Sequence, residues 1–378
     1  MRFNIIPMGV KTGFLRALLA AGLPCASMVW AQHHAADLNQ NFVIERPELE
    51  RLFTLPEWRQ DVETKLLRAV QLHNAGGYLP SPSSWDGFTP ASLAYVALNL
   101  TNNTIERLEA VPDGGWTDEH KTTKLVLRRI PAGTFTMGSP AGEPYRAANE
   151  TQHEVTITRD FFIGVFQVTQ RQWELVMGGR PNCWFNNAEF YMTRPVEHVV
   201  THANAVLFAA RLRERFAGAI DLRFDLPTEA QWEYACRAGS ATSLNNGTDV
   251  TDAGQLGYPC PNLGVVGRYL YNGGQTASNT EAPRAANTDY GTAAVGSLAP
   301  NAWGLYDMHG NVQERCLDFL GAYPADAVVD PVGAASGNRV LRGGAWSLNV
   351  GPARSAARRN ESNSTTQSIG MRVCASLP

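Results

Sequence analysis

The sequence has little charge, few cysteines and only one extended apolar run. Of its 378 residues only 18% are charged, the net charge is −3, and no long basic block occurs. Binding to nucleic acid through phosphate neutralisation is therefore not expected. The six cysteines form no Cys-x-x-Cys pair, and no histidine cluster has zinc-ligand spacing. What is present, 44% hydrophobic residues with 34 glycines and 22 prolines, favours a packed, loop-rich globular protein.

The apolar run lies at the N-terminus and has the layout of a secretory signal peptide. Residues 1–16 contain three basic residues and no acid, residues 17–29 are apolar, and Val29-Trp30-Ala31 follows. We expect residues 1–31 to be removed by cleavage after Ala31, which predicts a secreted or periplasmic protein. An N-terminal membrane anchor is the alternative, but the run has about 13 residues and about 20 are needed to span a bilayer. No other segment predicts a stable membrane span.

Export would place the cysteines that remain after cleavage in an oxidising compartment, where disulfides persist. Their number is odd, so at least one is unpaired or pairs between chains. The pairing and the oligomeric state both stay open. The five cysteines of the mature chain are Cys183, Cys236, Cys260, Cys316 and Cys374.

Two regions follow the signal peptide. Residues 32–120 are predicted to be a helical segment of unknown role, with helices over 56–74 and 90–107. Residues 121–378 form the second region, which begins with strands near 125–127, 134–137 and 155–168. Helices are predicted from Thr169 to Met177, over 203–216, and from Thr228 to Gly239. Mostly turns and short strands are expected beyond Gly239.

Six motifs in the second region occur in an order that resembles one known domain family. They are residues 130–139, 166–173, 226–235, 301–312, 342–346 and 369–372. In this order they resemble the sulfatase-modifying-factor domain of formylglycine-generating enzymes. The resemblance implies an α+β, C-type-lectin-like fold with little regular secondary structure and with structural calcium. It also implies, for an active enzyme, oxidation of a sulfatase cysteine by oxygen at a copper ion held by two cysteines.

The copper ligands of that family are missing from this sequence. In the family the two cysteines follow a Gly-Gly-Ser segment, but here no cysteine occurs between Gly344 and Met371, and Ala345 replaces the serine. Gln313 and Arg315 stand where the family has two tryptophans. Since Cu(I) prefers sulfur ligands, copper is not expected and no catalytic residue is assigned.

The family's calcium-binding loop, in contrast, is kept. The resemblance implies Asp307 and Glu314 as carboxylate ligands, with Gly310 and Val312 as carbonyl donors. This agrees with the preference of Ca²⁺ for six to eight hard oxygen ligands. A plain turn with solvated acids is the alternative. The resemblance also suggests a second calcium site, formed by Asn262, Leu263, Asn287 and Asp289.

A polar tail near the C-terminus is a candidate ligand surface. Three arginines lie there beside asparagine, serine and threonine, in the region that lines the substrate groove of the family's enzymes. Arginine binds carboxylate, sulfate or phosphate in a forked geometry, so an acidic peptide or a sulfated sugar is a possible ligand. A solvated polar loop is the alternative. The candidate residues are Trp346, Arg354, Arg358, Arg359 and Asn360.

Together these features favour an exported, calcium-stabilised protein that acts as a binding or accessory module without copper oxidase activity. The alternative is a divergent formylglycine-generating oxidoreductase that acts on a sulfatase cysteine. A second alternative is a surface structural or display protein, because the family's domain also serves as the scaffold of variable proteins in diversity-generating retroelements.

Overall fold

The computed structural model describes residues 28–29, 43–44, 94–251, 259–274, 290–361 and 365–377. Its strands are β1 Met28–Val29, β2 Val43–Ile44, β3 Tyr95–Asn99, β4 Ile105–Leu108, β5 Lys124–Ile130, β6 Gly133–Met137, β7 His153–Ile157, β8 Phe161–Gly164, β9 Arg223–Asp225, β10 Gln313–Phe319, β11 Val328–Val329, β12 Arg339–Arg342, β13 Arg359–Glu361, β14 Ile369–Gly370 and β15 Cys374–Ser376. Its α-helices are α1 Glu119–Thr122, α2 Gln170–Met177, α3 His202–Arg215, α4 Glu229–Arg237 and α5 Pro261–Gly264, and two 3₁₀ turns cover Tyr191–Thr193 and Gly351–Ala353.

The largest sheet has six strands in the order β4-β3-β5-β8-β15-β9, and every neighbouring pair is antiparallel. Successive side chains of a strand point to opposite faces. On β3, Val96 and Leu98 therefore pack into the core that contains α2 and α3, whereas Tyr95 and Ala97 pack into a smaller core on the other face. A third core lies between α4 and the sheets and is centred on the fully buried Trp232.

The helix predicted over 90–107 is wrong in its described part, which is the β3–β4 hairpin. The first four residues of β3 are buried in apolar surroundings on both faces, and such a continuous apolar run does not distinguish a strand from a buried helix. The turn is fixed by the Asn99 side-chain oxygen, which accepts hydrogen bonds from the N–H and hydroxyl of Thr101 at 2.9 and 2.7 Å. Because β3 pairs with β5 along its whole length, this hairpin shares a sheet with the region predicted to begin at residue 121. The helix predicted over 56–74 lies outside the described residues.

The three helices predicted in the second region are confirmed. Thr169 begins α2 and Thr228 begins α4, each with a capping box in which a glutamine three residues later returns the hydrogen bond. The predicted helix over 203–216 is α3, which is shifted by one residue and capped by Thr201.

A four-stranded sheet, in the order β13-β12-β10-β14, positions the predicted calcium loop. The loop leads directly into β10, where Glu314 lies opposite Arg342 on one side and Gly370 on the other. Gly370 permits this approach, because a Cβ atom there would lie 2.6 Å from Val312 Cγ2. A three-stranded sheet in the order β11-β7-β6 completes the described domain, and β1 and β2 form a separate pair. The expected α+β class is confirmed.

Within the described ranges, no helix combines the length and the apolar character that a membrane crossing requires.

Candidate functional site

The loop from Asp307 to Glu314 is held in a tight, buried conformation. Asp307 and Asn311 have φ angles of 60° and 68°, a left-handed conformation that short polar side chains tolerate better than most. The Asn311 side chain exchanges hydrogen bonds with the backbone of Ala293, at 2.9 and 3.2 Å. Gly310 packs so closely that a Cβ atom would lie 2.1 Å from the Arg268 carbonyl oxygen. These constraints aim several loop carbonyls at one interior point.

That point holds the side-chain amide of Gln167. Its Nε2 lies 2.9 Å from the Val312 carbonyl oxygen, 3.1 Å from that of Gly310 and 3.3 Å from that of Asp307. It also lies 2.9 Å from Oε1 of Glu314. Gln167 is fully buried, so these four oxygens rely on the protein for hydrogen-bond donors. All four predicted ligand residues are thus brought together around one nitrogen atom.

The carboxylate of Glu314 is surrounded by further donors. Arg372 donates to both of its oxygens, at 2.9 Å from Nε and 2.8 Å from NH2, and Trp232 Nε1 donates to Oε2 at 2.7 Å. The other guanidinium contacts of Arg372 are the carbonyl oxygens of Gly164, Val165 and Tyr306. Arg372 therefore balances the charge of Glu314 in a buried region. Its guanidinium also links β10 to the end of β8 through hydrogen bonds.

Asp307 contributes to the cluster in a different way from the one predicted. Its backbone carbonyl faces the Gln167 amide, whereas its carboxylate Oδ2 accepts a hydrogen bond from the Gly296 N–H at 2.7 Å. Burial raises the pKa of the Asp307 carboxyl to about 6, and the Gly296 N–H opposes that rise.

With Gln167 in this position, the cluster does not fit a calcium ion. Calcium binds oxygen at about 2.3–2.6 Å, whereas the four oxygens surround Nε2 of Gln167 at 2.9–3.3 Å, the spacing of hydrogen bonds. The space that the predicted ligands enclose is filled by a neutral donor.

The second predicted calcium site is described only in part, because Asn287 and Asp289 lie outside the described residues. The Asn262 side chain donates from Nδ2 to the Asp249 carbonyl oxygen at 2.9 Å. The Leu263 carbonyl accepts hydrogen bonds from the N–H groups of Val266 and Gly267 at the end of α5. The second site therefore stays a prediction.

Three of the five predicted ligand-binding residues are committed to internal contacts, which corrects that prediction for them. Trp346 is 1% exposed and donates from Nε1 to the Gln367 carbonyl oxygen at 2.9 Å. Arg354 is also 1% exposed and pairs with the buried carboxylates of Glu143 and Glu150. Arg358 pairs in a forked geometry with Glu229, with both contacts at 2.7 Å.

The other two residues, Arg359 and Asn360, are exposed. They lie on β13, an edge strand whose described pairing is with β12. They are the part of the predicted ligand surface that is accessible to a ligand.

The five cysteines of the predicted mature chain are all buried, and none forms a disulfide. Burial raises the pKa of the Cys236 thiol to about 12, and it also raises the pKa values of Cys183, Cys316 and Cys374. Because the thiolate is the form that binds metals and attacks electrophiles, these sulfurs are poor ligands and poor nucleophiles. In the described part of the chain, no three His, Cys, Asp or Glu side chains are arranged to hold a metal ion.

Sequence reasoning assigned no role to three residues of the cluster, although each lies within a recognised motif. They are Gln167 of 166–173, Trp232 of 226–235 and Arg372 of 369–372. A signal was present for Gln167, because the family has a glutamate at this position.

Comparison with known proteins agrees with the resemblance. The family described as "Sulfatase-modifying factor enzyme 1-like domain" matches residues 117–377. The formylglycine-generating enzyme of Streptomyces coelicolor is 29% identical over 58% of this chain and 77% of its own length. Chaperone protein LppX of Paenibacillus barcinonensis is 27% identical over 61% of this chain and 86% of its own length.

Two solved structures share the fold. Treponema denticola variable protein 1 superimposes with a TM-score of 0.54 at 26% identity, covering 68% of this chain and 96% of that one. PvdO from Pseudomonas aeruginosa superimposes with a TM-score of 0.51 at 26% identity, covering 67% and 94%. The family match spans well over half of the chain, and three of the recognised motifs contribute side chains that contact Glu314 in the structure. The chain therefore belongs to the family of sulfatase-modifying factor enzyme 1-like domains.

Proposed function

We propose that this protein is an exported binding or accessory module that does not carry out copper-dependent oxidation of cysteine. The observation that supports this most strongly is the chemistry of the segment after Gly343-Gly344. This segment contains no cysteine, and the arginines at its far end are held in buried ion pairs with glutamates.

The packing around this segment also provides no soft ligand for copper. Gly344 has a φ angle of 67° and lies so close to the 3₁₀ turn that a Cβ atom would be 2.8 Å from Ala353 Cα. Ala345 stands where the family has a serine, so no hydroxyl group is present at this fully buried position. The thiol of Cys236 is buried, and its pKa is raised to about 12. A copper ion that prefers thiolate ligands has no pair of them here.

The names of the relatives do not decide between oxidation and another role. Matches to this chain carry names as different as formylglycine-generating enzyme, chaperone protein and serine/threonine-protein kinase. One fold that hosts several functions does not fix the activity of a member, so the activity has to be argued from the site.

The accessible part of the polar tail is the proposed ligand surface. Arg359 and Asn360 stand on the exposed edge strand β13 and offer a cation and an amide. An acidic peptide or a sulfated sugar would suit these groups, since arginine binds both carboxylate and sulfate.

Export is proposed from the predicted signal peptide, 1–31. N-terminal sequencing of the protein recovered from periplasmic or culture fractions is expected to begin at Gln32. Recovery of the uncleaved chain from the membrane fraction would support an N-terminal anchor instead.

A peptide-oxidation assay tests the central proposal. The purified mature protein is supplied with copper, oxygen and a Cys-x-Pro-x-Arg peptide, and the aldehyde product is sought by mass spectrometry. The Streptomyces coelicolor enzyme serves as the positive control. We expect no conversion by this protein, and conversion above the copper-only blank would establish the divergent oxidase instead.

Binding to immobilised acidic peptides and sulfated sugars tests the ligand surface. The R359A variant, which changes only an exposed side chain, should lose binding while it remains folded. Absence of both oxidation and binding would favour the structural or display alternative.

A further inference from the structure

We propose that the carboxamide of Gln167 takes the place of a structural cation in the 307–314 loop, so that this loop is held without calcium. The resemblance implies a metal bound by Asp307, Gly310, Val312 and Glu314. The structure instead brings an oxygen from each of these residues to one nitrogen atom of Gln167. The inference rests on this geometry and is independent of the proposed function.

The hydrogen-bond capacity of the amide suits this substitution. A carboxamide nitrogen has two hydrogens and no acceptor lone pair, so every direction it offers to the cluster is electropositive. Four oxygens within 3.3 Å therefore share two N–H donors. Without the amide, three backbone carbonyls and one carboxylate would be buried together with fewer hydrogen-bond donors, and buried acceptors without donors destabilise the fold. The amide thus supplies the positive end that a cation would supply.

The charge balance also disfavours a divalent ion. Glu314 is the acidic side chain that faces the amide, and the Arg372 guanidinium already pairs with it through contacts of 2.8 and 2.9 Å. The Asp307 carboxylate is engaged by the Gly296 N–H. A divalent ion in the cluster would bind the same Glu314 oxygen as the Arg372 guanidinium and would be repelled by it. Calcium affinity rises with the number of charged ligands, and here the one carboxylate that faces the site is shared with an arginine.

The opposite orientation of the amide defines what would contradict the proposal. Oε1 of Gln167 has no hydrogen-bond partner among the described residues. If the amide turned by 180°, this oxygen would face the same four oxygens. Five oxygens would then point at one another, an arrangement that only a cation would stabilise. Binding of calcium by the unmodified protein would select that orientation and would overturn the proposal.

The first measurement is therefore made on the unmodified mature protein. We expect its melting temperature in chelator and in millimolar Ca²⁺ to agree within about 1 °C, because a ligand that does not bind the native state cannot stabilise it. Calorimetric titration with Ca²⁺ alone should show no binding at this loop. A saturable calcium-dependent rise in melting temperature that survives the N262A variant, which alters the second predicted site, would refute the proposal.

The second measurement recreates the charge that the family carries at this position. In the Gln167→Glu variant, the new carboxylate faces three backbone carbonyl oxygens and the carboxylate of Glu314. We expect the melting temperature in chelator to fall by at least about 5 °C, because the new carboxylate is buried against other acceptors without a compensating charge. Calcium should recover most of that loss, because the variant encloses two carboxylates and three carbonyls.

Gln170→Glu is the matched control. Gln170 is also fully buried, and its Nε2 donates to the Phe185 and Pro195 carbonyl oxygens at 2.9 and 3.3 Å, neither of which belongs to a carboxylate. This variant should be destabilised to a similar extent but should not be recovered by calcium. An equal calcium response in the two variants would overturn the proposal. If Gln167→Glu fails to fold, the measurement on the unmodified protein decides the question alone.

Discussion

Replacing Arg354 with methionine tests whether the polar tail is built for internal support or for ligand binding. The Arg354 side chain is 1% exposed, and its guanidinium contacts Glu150 through both of its terminal nitrogens at 2.8 and 2.9 Å. It also pairs with Glu143 and donates to the Tyr145 carbonyl oxygen at 2.8 Å. Arg354→Met keeps the length of the apolar stem and removes every one of these donors.

The expected loss follows from the two carboxylates that would be left buried. Removing one partner of a buried ion pair costs about 3–5 kcal/mol, which is a large part of the 5–15 kcal/mol that stabilises a typical domain. For a domain of this size the loss corresponds to about 6–20 °C in melting temperature. Burial raises the pKa of Glu143 even with Arg354 present, so the variant should recover part of its deficit at pH 5, where the Glu143 carboxylate takes up a proton more readily than at pH 8.

Urea unfolding at pH 5 and pH 8 measures both effects. Arg359→Met is the control, because Arg359 is exposed five residues further along the same tail, and its change should stay within about 0.5 kcal/mol. The reasoning is refuted if the free energy of unfolding of Arg354→Met lies within about 1 kcal/mol of that of the unmodified protein. The buried ion pair would then not stabilise the fold as argued, and a ligand-binding role for Arg354 would again be favoured.

Two further predictions concern buried titratable groups. Burial raises the pKa of the Glu197 carboxyl from 4.5 to about 7, so the native state binds its proton more tightly than the unfolded chain, and stability should fall as pH rises between those values. Glu197→Gln keeps the acceptor for the Phe185 N–H, and its advantage in urea unfolding should grow by up to about 3 kcal/mol from pH 4.5 to pH 8; a gap that does not change with pH would contradict this. The buried cysteines should react with a thiol reagent at pH 8 only after unfolding, and rapid labelling of Cys236 in the native protein would show that its thiol is accessible.

Local signals in the sequence predicted local structure well. Thr169 and Thr228 each precede a glutamine by three residues, and both capping boxes form. The predicted calcium loop is also gathered around one point, because Asp307, Gly310, Val312 and Glu314 are close in sequence and belong to one recognised motif. In both cases the residues that decide the structure lie within a few positions of one another.

The misinterpretations involve partners that are distant in sequence. Arg354 and Arg358 lie in a polar, serine-rich tail, which is typical of an exposed loop. The glutamates with which they form buried ion pairs lie more than a hundred residues earlier in the sequence. No role was predicted for Gln167, since nothing local shows that its amide reaches Val312 and Glu314.

The β3–β4 hairpin was misinterpreted for another reason. An apolar run such as that of β3 suits a strand covered on both faces and a buried helix equally. Only its pairing with β5 decides between them.

The position of β15 affects how the chain acquires its fold during synthesis. This three-residue strand lies between β8 and β9 and pairs with both, through Ile163 on one side and Asp225 on the other. A ribosome finishes β9 long before it reaches Cys374, so the nascent chain has two unpaired sheet edges until β15 has been synthesised. Such edges invite pairing with other chains. Completion of the largest sheet therefore waits for β15, and deletion of Cys374–Ser376 would open that sheet at its interior.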